Sequence, residues 1–195
     1  MKPIERGEIL GLADYEAVRD AFRNRVIAEK KLRRVPLGPR ATALFENRDT
    51  VLLQIQEMLR TERITRPAAV QHEIDTYNQN VPGDAELSCT VMIEIPDADE
   101  REAFLGQAKG FERHVWVAID GERSRALGAD RGDDATRTTA VHYLKVPLST
   151  GQVAALRGVA AGRMPKVEMG VDHPVYSATT ALVDLTTRSI AEDLE

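Results

Sequence analysis

Apolar side chains recur between positions 14 and 35 at Tyr15, Val18, Ala21, Phe22, Val26 and Leu32, the spacing of one helical face, with Asp14 placed to cap it. The run Pro36-Leu37-Gly38-Pro39 stops that helix, because proline removes a donor and blocks the preceding turn. Leu44, Phe45, Val51, Leu52, Ile55, Met58 and Leu59 fall within about half of a helical circumference, so the pattern predicts a second helix over 41 to 63. A third, over 66 to 79, has Pro67 in its first turn, where a missing N–H costs nothing, and ends before Pro82-Gly83.

Beyond Gly83 the period changes. Leu87 to Ile95 is rich in Val, Ile and Thr, and Arg113 to Ile119 continues in that style up to the turn signal Asp120-Gly121. Thr138 to Pro147 and Lys166 to Val171 are further strand candidates; helices are expected over 99 to 110, 149 to 159 and 183 to 194, and a polar loop over 128 to 134. The expected fold is α+β: an N-terminal layer of about three helices (1–80) packed on a mainly antiparallel sheet with additional short helices (84–195), all in one domain, 1–195.

Composition narrows the class. A chain of 195 residues, 43% hydrophobic and 29% charged, can bury a core and is too apolar for disorder. Its net charge of −5 conceals 14 basic and 12 acidic residues in the first 80, against 12 and 19 afterwards. The first residues lack the apolar core of a signal peptide and no run of about 18 apolar residues could span a bilayer, so a cytoplasmic location is expected, as a monomer or homo-oligomer. Cys89 alone can form no intrachain disulfide and no Cys-x-x-Cys pair, and as a strand residue it reads as a buried, inert thiol.

Three groups of polar residues carry candidate chemistry. On the predicted second helix Arg48 projects into the apolar face, and on the first Arg25 and Glu29 interrupt the stripe four residues apart. If the helices pack, these groups meet, either as an ion network that fixes register or as an anion site in which Arg25 and Arg48 hold a carboxylate or phosphate. In Gln71-His72-Glu73-Ile74-Asp75, His72 and Asp75 share one side; with Glu46 or Glu57 they could ligate iron, manganese or zinc. The paired Glu-x-x-His motifs of a ferritin-like centre are absent, and a solvated histidine is the competing reading. At Asp172-His173-Pro174 an aspartate could orient an imidazole for metal or base chemistry, or the segment could be a strand end; His114 and His142 sit in other strand segments.

The basic run Lys30-Lys31-Leu32-Arg33-Arg34, with Arg40, could contact phosphates, yet no aromatic residues are interleaved and a solvated helix C-terminus, which favours cations, is the better explanation. Asp130, Asp133 and Asp134 miss the calcium-loop spacing. A P-loop, a Rossmann glycine fingerprint and a Gly-x-Ser-x-Gly elbow are all missing, which removes the commonest nucleotide and hydrolase readings.

The segments Leu44-Phe45-Glu46-Asn47-Arg48-Asp49-Thr50-Val51-Leu52, Gln54 to Leu59, His72 to Asn78, Glu86-Leu87-Ser88, Glu112 to Val115 and Val171 to Tyr176 resemble a bacterial family known only as a domain of unknown function. The resemblance implies a cytoplasmic protein of about this length, encoded near rubrerythrin and an iron–sulfur protein like a heterodisulfide reductase subunit; it carries no activity. Its segments contain Arg48, His72, Glu73 and His173, but not Arg25 or Glu29. Three functions are therefore expected to compete. The first is an accessory or binding protein of a redox or peroxide-defence system, with rubrerythrin or the iron–sulfur protein as partner. The second is a metalloprotein or small enzyme using Glu46, Arg48, His72, Glu73 and His173 with bound Fe, Mn or Zn. The third, weaker, is a nucleic-acid binder.

Overall fold

A computed structural model describes residues 1–128 and 137–194. The expected first helix is α1 (Leu12–Leu32), with Gly11 at its N-cap and Asp14 inside the first turn, where its charge suits the helix dipole. Of the apolar stripe only Tyr15 and Val26 are buried; Val18, Ala21 and Leu32 face solvent. A 3-10 turn, Arg6–Glu8, precedes it.

The largest departure from the helical pattern lies in the next segment. Residues 34 to 46 form a hairpin, β1 (Arg34–Pro36) and β2 (Ala41–Glu46), and the helix expected from 41 begins only at 48 as α2 (Arg48–Thr61). Two local features set that boundary. Gly38 takes a left-handed φ of 71° in the hairpin turn, and Asn47 caps α2 by a reciprocal pair of bonds with Thr50. A strand buried on both faces offers no alternation, so Leu44 and Phe45 imitated the start of a helical stripe. The third helix agrees with its signals as α3 (Pro67–Asn78).

The remaining elements are β3 (Glu86–Ile93), α4 (Ala98–Gln107), a 3-10 turn Phe111–His114, β4 (Val115–Ile119), β5 (Glu122–Arg125), β6 (Leu127–Gly128), β7 (Val141–Pro147), α5 (Thr150–Arg157), β8 (Val167–His173), β9 (Tyr176–Ala181), α6 (Asp184–Ala191) and a closing 3-10 turn Glu192–Leu194. The short strands β1, β5, β6 and β9 were not anticipated. Of the loop expected over 128–134, Gly128 belongs to β6 and the rest, with Asp130, Asp133 and Asp134, lies outside the described residues.

Two sheets result, both antiparallel among the described residues: β1-β2-β3-β7-β6 and β5-β4-β8-β9. The first draws strands from both halves of the chain, so the helical part and the sheet part share one framework. Cross-strand partners share a face. In the first sheet Ala43, Phe45, Cys89, Val91 and Leu144 turn inward to meet Val115, Val117, Ile119, Val167, Met169 and Val171 of the second, in one continuous core. A smaller cluster, Ile4, Ile9, Val51, Ile55, Leu59, Val70, Ile74 and Val81, joins α2, α3 and the N-terminal segment. Each such side chain contributes about 1.5–3 kcal/mol on burial, against about 0–1 for a surface ion pair. The cores hold the fold and the polar clusters tune it.

Candidate functional site

The helical part holds its polar centre where α1 runs into β1. Arg33, the C-cap residue of α1, is buried with Val35 and Leu37 while Leu32, Arg34 and Pro36 are exposed, so the chain leaves the helix with an arginine turned into the interior. Arg33 is 1% exposed. Its guanidinium donates to the backbone oxygens of Phe45 (2.9 Å), Glu46 (3.1 Å) and Ser189 (2.8 Å), to Ser189 Oγ (3.1 Å), and in bidentate fashion to both carboxylate oxygens of Asp193. Burial pushes the Asp193 carboxyl up to about 6, with Arg33 pulling the other way and Glu29 adding to the rise. Beside it the buried Glu46 accepts from the hydroxyls of Thr50 (2.5 Å) and Thr90 (2.6 Å), and Glu29 accepts from the Asn47 amide.

The Arg25, Glu29 and Arg48 group expected from helical projection is thereby divided. Arg25 pairs with Asp49 and Glu29 with Asn47, both at the start of α2. Arg48 turns the other way, to the Glu8 carboxylate (2.5 Å) and the Lys2 carbonyl (3.1 Å). Arg48 is the first residue of α2, so the apolar face onto which it was projected does not yet exist at that point of the chain. Glu57, weighed as a metal ligand, accepts from the buried Tyr15 hydroxyl (2.7 Å) and from Arg19 through both oxygens, and Arg19 holds its carboxyl down at about 2. On α3, His72 and Asp75 face solvent, Asp75 accepting from Gln71 (2.8 Å), and Glu73 is half-buried. Among the described residues no three His, Cys, Asp or Glu side chains converge as metal ligands would.

The second sheet gathers a different set on its outward face. Adjacent residues of a strand point to opposite sides, so Asp172 cannot serve His173 as an orienting partner. His173 is buried inside the core rim, its Nδ1 accepting from Val175 N–H (3.3 Å) and its Nε2–H donating to the Lys109 carbonyl (3.0 Å). Both ring nitrogens are engaged with backbone. Asp172 points outward, where Arg125 grips it through both nitrogens (2.6 and 2.8 Å), Arg123 stands 3.8 Å away, and His114 Nδ1 lies 3.4 Å from Oδ1. Arg125 holds the Asp172 carboxyl below its usual range. The His114 and His173 rings meet edge to face at 4.8 Å, which ties the outward cluster to the core. His142, 8% exposed and stacked on Phe111, is kept below its ordinary pKa by burial.

Register sets Trp116 beside Arg125 on one side and Gly170 on the other, and sets Ala118 beside Arg123. The Arg123 guanidinium covers the indole, 3.8 Å from the ring centroid. Among the described residues both flanks of this face are open, through exposed Arg123 and Arg125 on β5 and exposed Ser177, Thr179 and Ala181 on β9. The sequence had offered Asp172 and His114 from this group; Arg123, Arg125 and Trp116 were unflagged, because cations at alternate positions of a short strand look like ordinary solubilising residues.

A crystal structure of a novel protein of unknown function from Burkholderia pseudomallei K96243 is similar to the whole chain, with 32% sequence identity, 100% of each chain covered and a TM-score of 0.91. No curated protein matches. The model of the family described as "Protein of unknown function (DUF3501)" matches residues 3–194. The chain belongs to this family. In this DUF3501 protein the lone thiol, Cys89, is buried and pushed up to about 12, chiefly by burial, far from the range of a reactive thiolate. The basic run is largely spent within the chain: Arg33 on Asp193, Arg34 on Glu94 (3.5 Å) and Arg40 on Glu100 (2.8 Å). No described helix is long and apolar enough to cross a membrane.

Proposed function

We propose that this DUF3501 protein is a binding or accessory protein of the cytoplasm, and that its recognition surface is the outward face of the second sheet. The observation that supports this most directly is the pairing of Trp116 with Arg123 beside the Arg125, Asp172 and His114 chain. Tryptophan and arginine are the residue types that dominate the energy of protein interfaces, and here the two are stacked on one sheet face. The candidates of the helical layer point elsewhere: Arg25, Glu29, Glu46, Arg48 and Glu57 are each engaged with a neighbour in the chain, as a structural network requires.

With Arg123 and Arg125 exposed, the partner that suits this surface is acidic. The family resemblance supplies the candidates, rubrerythrin and the heterodisulfide-reductase-like iron–sulfur protein. Isothermal titration of the purified chain with each, at low and physiological salt, tests the reading. Binding that weakens with salt and falls at least tenfold in Arg123→Glu is expected. Unaltered affinity in that variant, or no binding to either candidate at low salt, would overturn it.

A further inference from the structure

Trp116 is the only tryptophan in the chain, and it is 2% exposed although it belongs to the outward face. Room for its ring comes from Gly170 directly across the strand pair, where a Cβ would stand 2.4 Å from Cζ2. A buried indole N–H ordinarily has an acceptor. Here Nε1 has none, and among the described residues it is the one buried side-chain nitrogen or oxygen left without a partner. An orphaned donor of this kind marks a place where an acceptor belongs.

Arg123 lies over the ring. The Arg123 side chain is 56% exposed, and among the described residues it meets the indole face and makes a loose approach to Asp172 at 3.8 Å. Arg125 is instead fixed to Asp172 through both nitrogens, so of the two arginines Arg123 is the one able to swing out and close again on something placed over the ring.

We propose that Trp116 and Arg123 form a gated seat for a carboxylate, supplied by an aspartate or glutamate of the acidic partner. One carboxylate oxygen accepts from the Trp116 Nε1–H, and Arg123 re-closes on the group with its planar fork. The inference rests on the reading of this face as the recognition surface. A carboxylate fits better than a phosphate because Asp172 and Glu168 share the face, Glu168 already matched by Lys166 at 3.1 Å, and two resident anions repel a dianion more than a monoanion.

The single tryptophan provides the assay, since the nitrogen-15 spectrum holds one indole N–H resonance. Wild-type protein is titrated with a blocked hexapeptide containing aspartate and glutamate, and separately with acetate, inorganic phosphate and sodium chloride at matched ionic strength. A saturable downfield shift with the peptide, absent with chloride and weakened at least tenfold by Arg123→Gln, is expected. Trp116→Phe keeps an aromatic ring under Arg123 but removes the donor, and should weaken peptide binding about tenfold by calorimetry. A shift that chloride reproduces, or tighter binding of phosphate than of the peptide, overturns the seat; so does acetate that saturates the site as tightly as the peptide, which would point to a small-molecule ligand. If Arg123→Glu abolishes partner binding while Trp116→Phe leaves it unchanged, the seat is wrong and the recognition face stands. If neither variant matters, both readings fall.

Discussion

Replacing Arg33 by methionine removes a buried cation while keeping most of the volume of its stem. Six hydrogen bonds go with it: three to backbone oxygens, one to Ser189 Oγ and two to Asp193. Breaking a buried ion pair from one side costs about 3–5 kcal/mol, because the remaining charge is left uncompensated. With unfolding free energies of about 5–15 kcal/mol for ordinary domains, the variant should fold but with a small reserve. At a urea dependence of about 2 kcal/mol per molar, a loss of about 4 kcal/mol moves the midpoint down by about 2 M. The loss should also depend on pH. Without Arg33 the Asp193 carboxyl faces only burial and the charges of Glu29 and Glu192, all of which raise it, so it binds a proton more readily, and the deficit should shrink between pH 8 and pH 5. A second substitution, Asp193→Leu, should return part of the loss, since neither charge then remains buried. Urea unfolding of the four proteins of this cycle, followed by circular dichroism, measures all three effects. A loss below about 1 kcal/mol at pH 8, or strictly additive single substitutions, would refute the view of Arg33 as the polar centre of the helical layer.

Three further outcomes follow from the same geometry. Asp193 titrates near 6 when folded against 3.8 ordinarily, so its contribution is fully present below about pH 4 and is lost as pH rises through 6; the stability of wild type relative to Asp193→Asn should fall by roughly 3 kcal/mol across that window, and a flat difference curve would contradict the assignment. Gly170→Ala forces the Trp116 ring off its seat, and should destabilise the chain by about 1–3 kcal/mol and shift tryptophan emission to the red, whereas unchanged melting and emission would show that the contact yields freely. Cys89 should resist a disulfide reagent at pH 8 in the folded chain and react fully in urea; reaction at a free-thiol rate without denaturant would mean that its strand opens readily.

Elements with strong local signals were legible from the residues. Pro67 and Pro82-Gly83 bracket α3, and the Val-, Ile- and Thr-rich runs gave β3, β4, β7 and β8. What escaped was decided by distant partners. Ala41 to Glu46 is a strand because β1 and β3 flank it, and its own spacing of apolar residues fits a helix as well. The site was legible to the same extent. Asp172 and His114 stood out as residue types, but Trp116, Arg123 and Arg125 join them only through the register of β4 with β5 and β8. Arg33 looked like one more cation at a helix end. The signal that could have found it was the alternation of Arg33, Val35 and Leu37, and even that says nothing of Asp193.

The clasp between Arg33 and Asp193 joins positions 160 apart. Closing so long a loop is entropically slow, and interactions of this range form late. During synthesis the hairpin and α2 emerge many seconds before the carboxylate that will neutralise Arg33, at about 5–20 residues per second. For that interval a guanidinium built for the interior must stay in water, and the helix-to-strand junction that carries it has no reason to settle. The joint between helices and sheet is thus a checkpoint in time, completed only once α6 has folded down upon it.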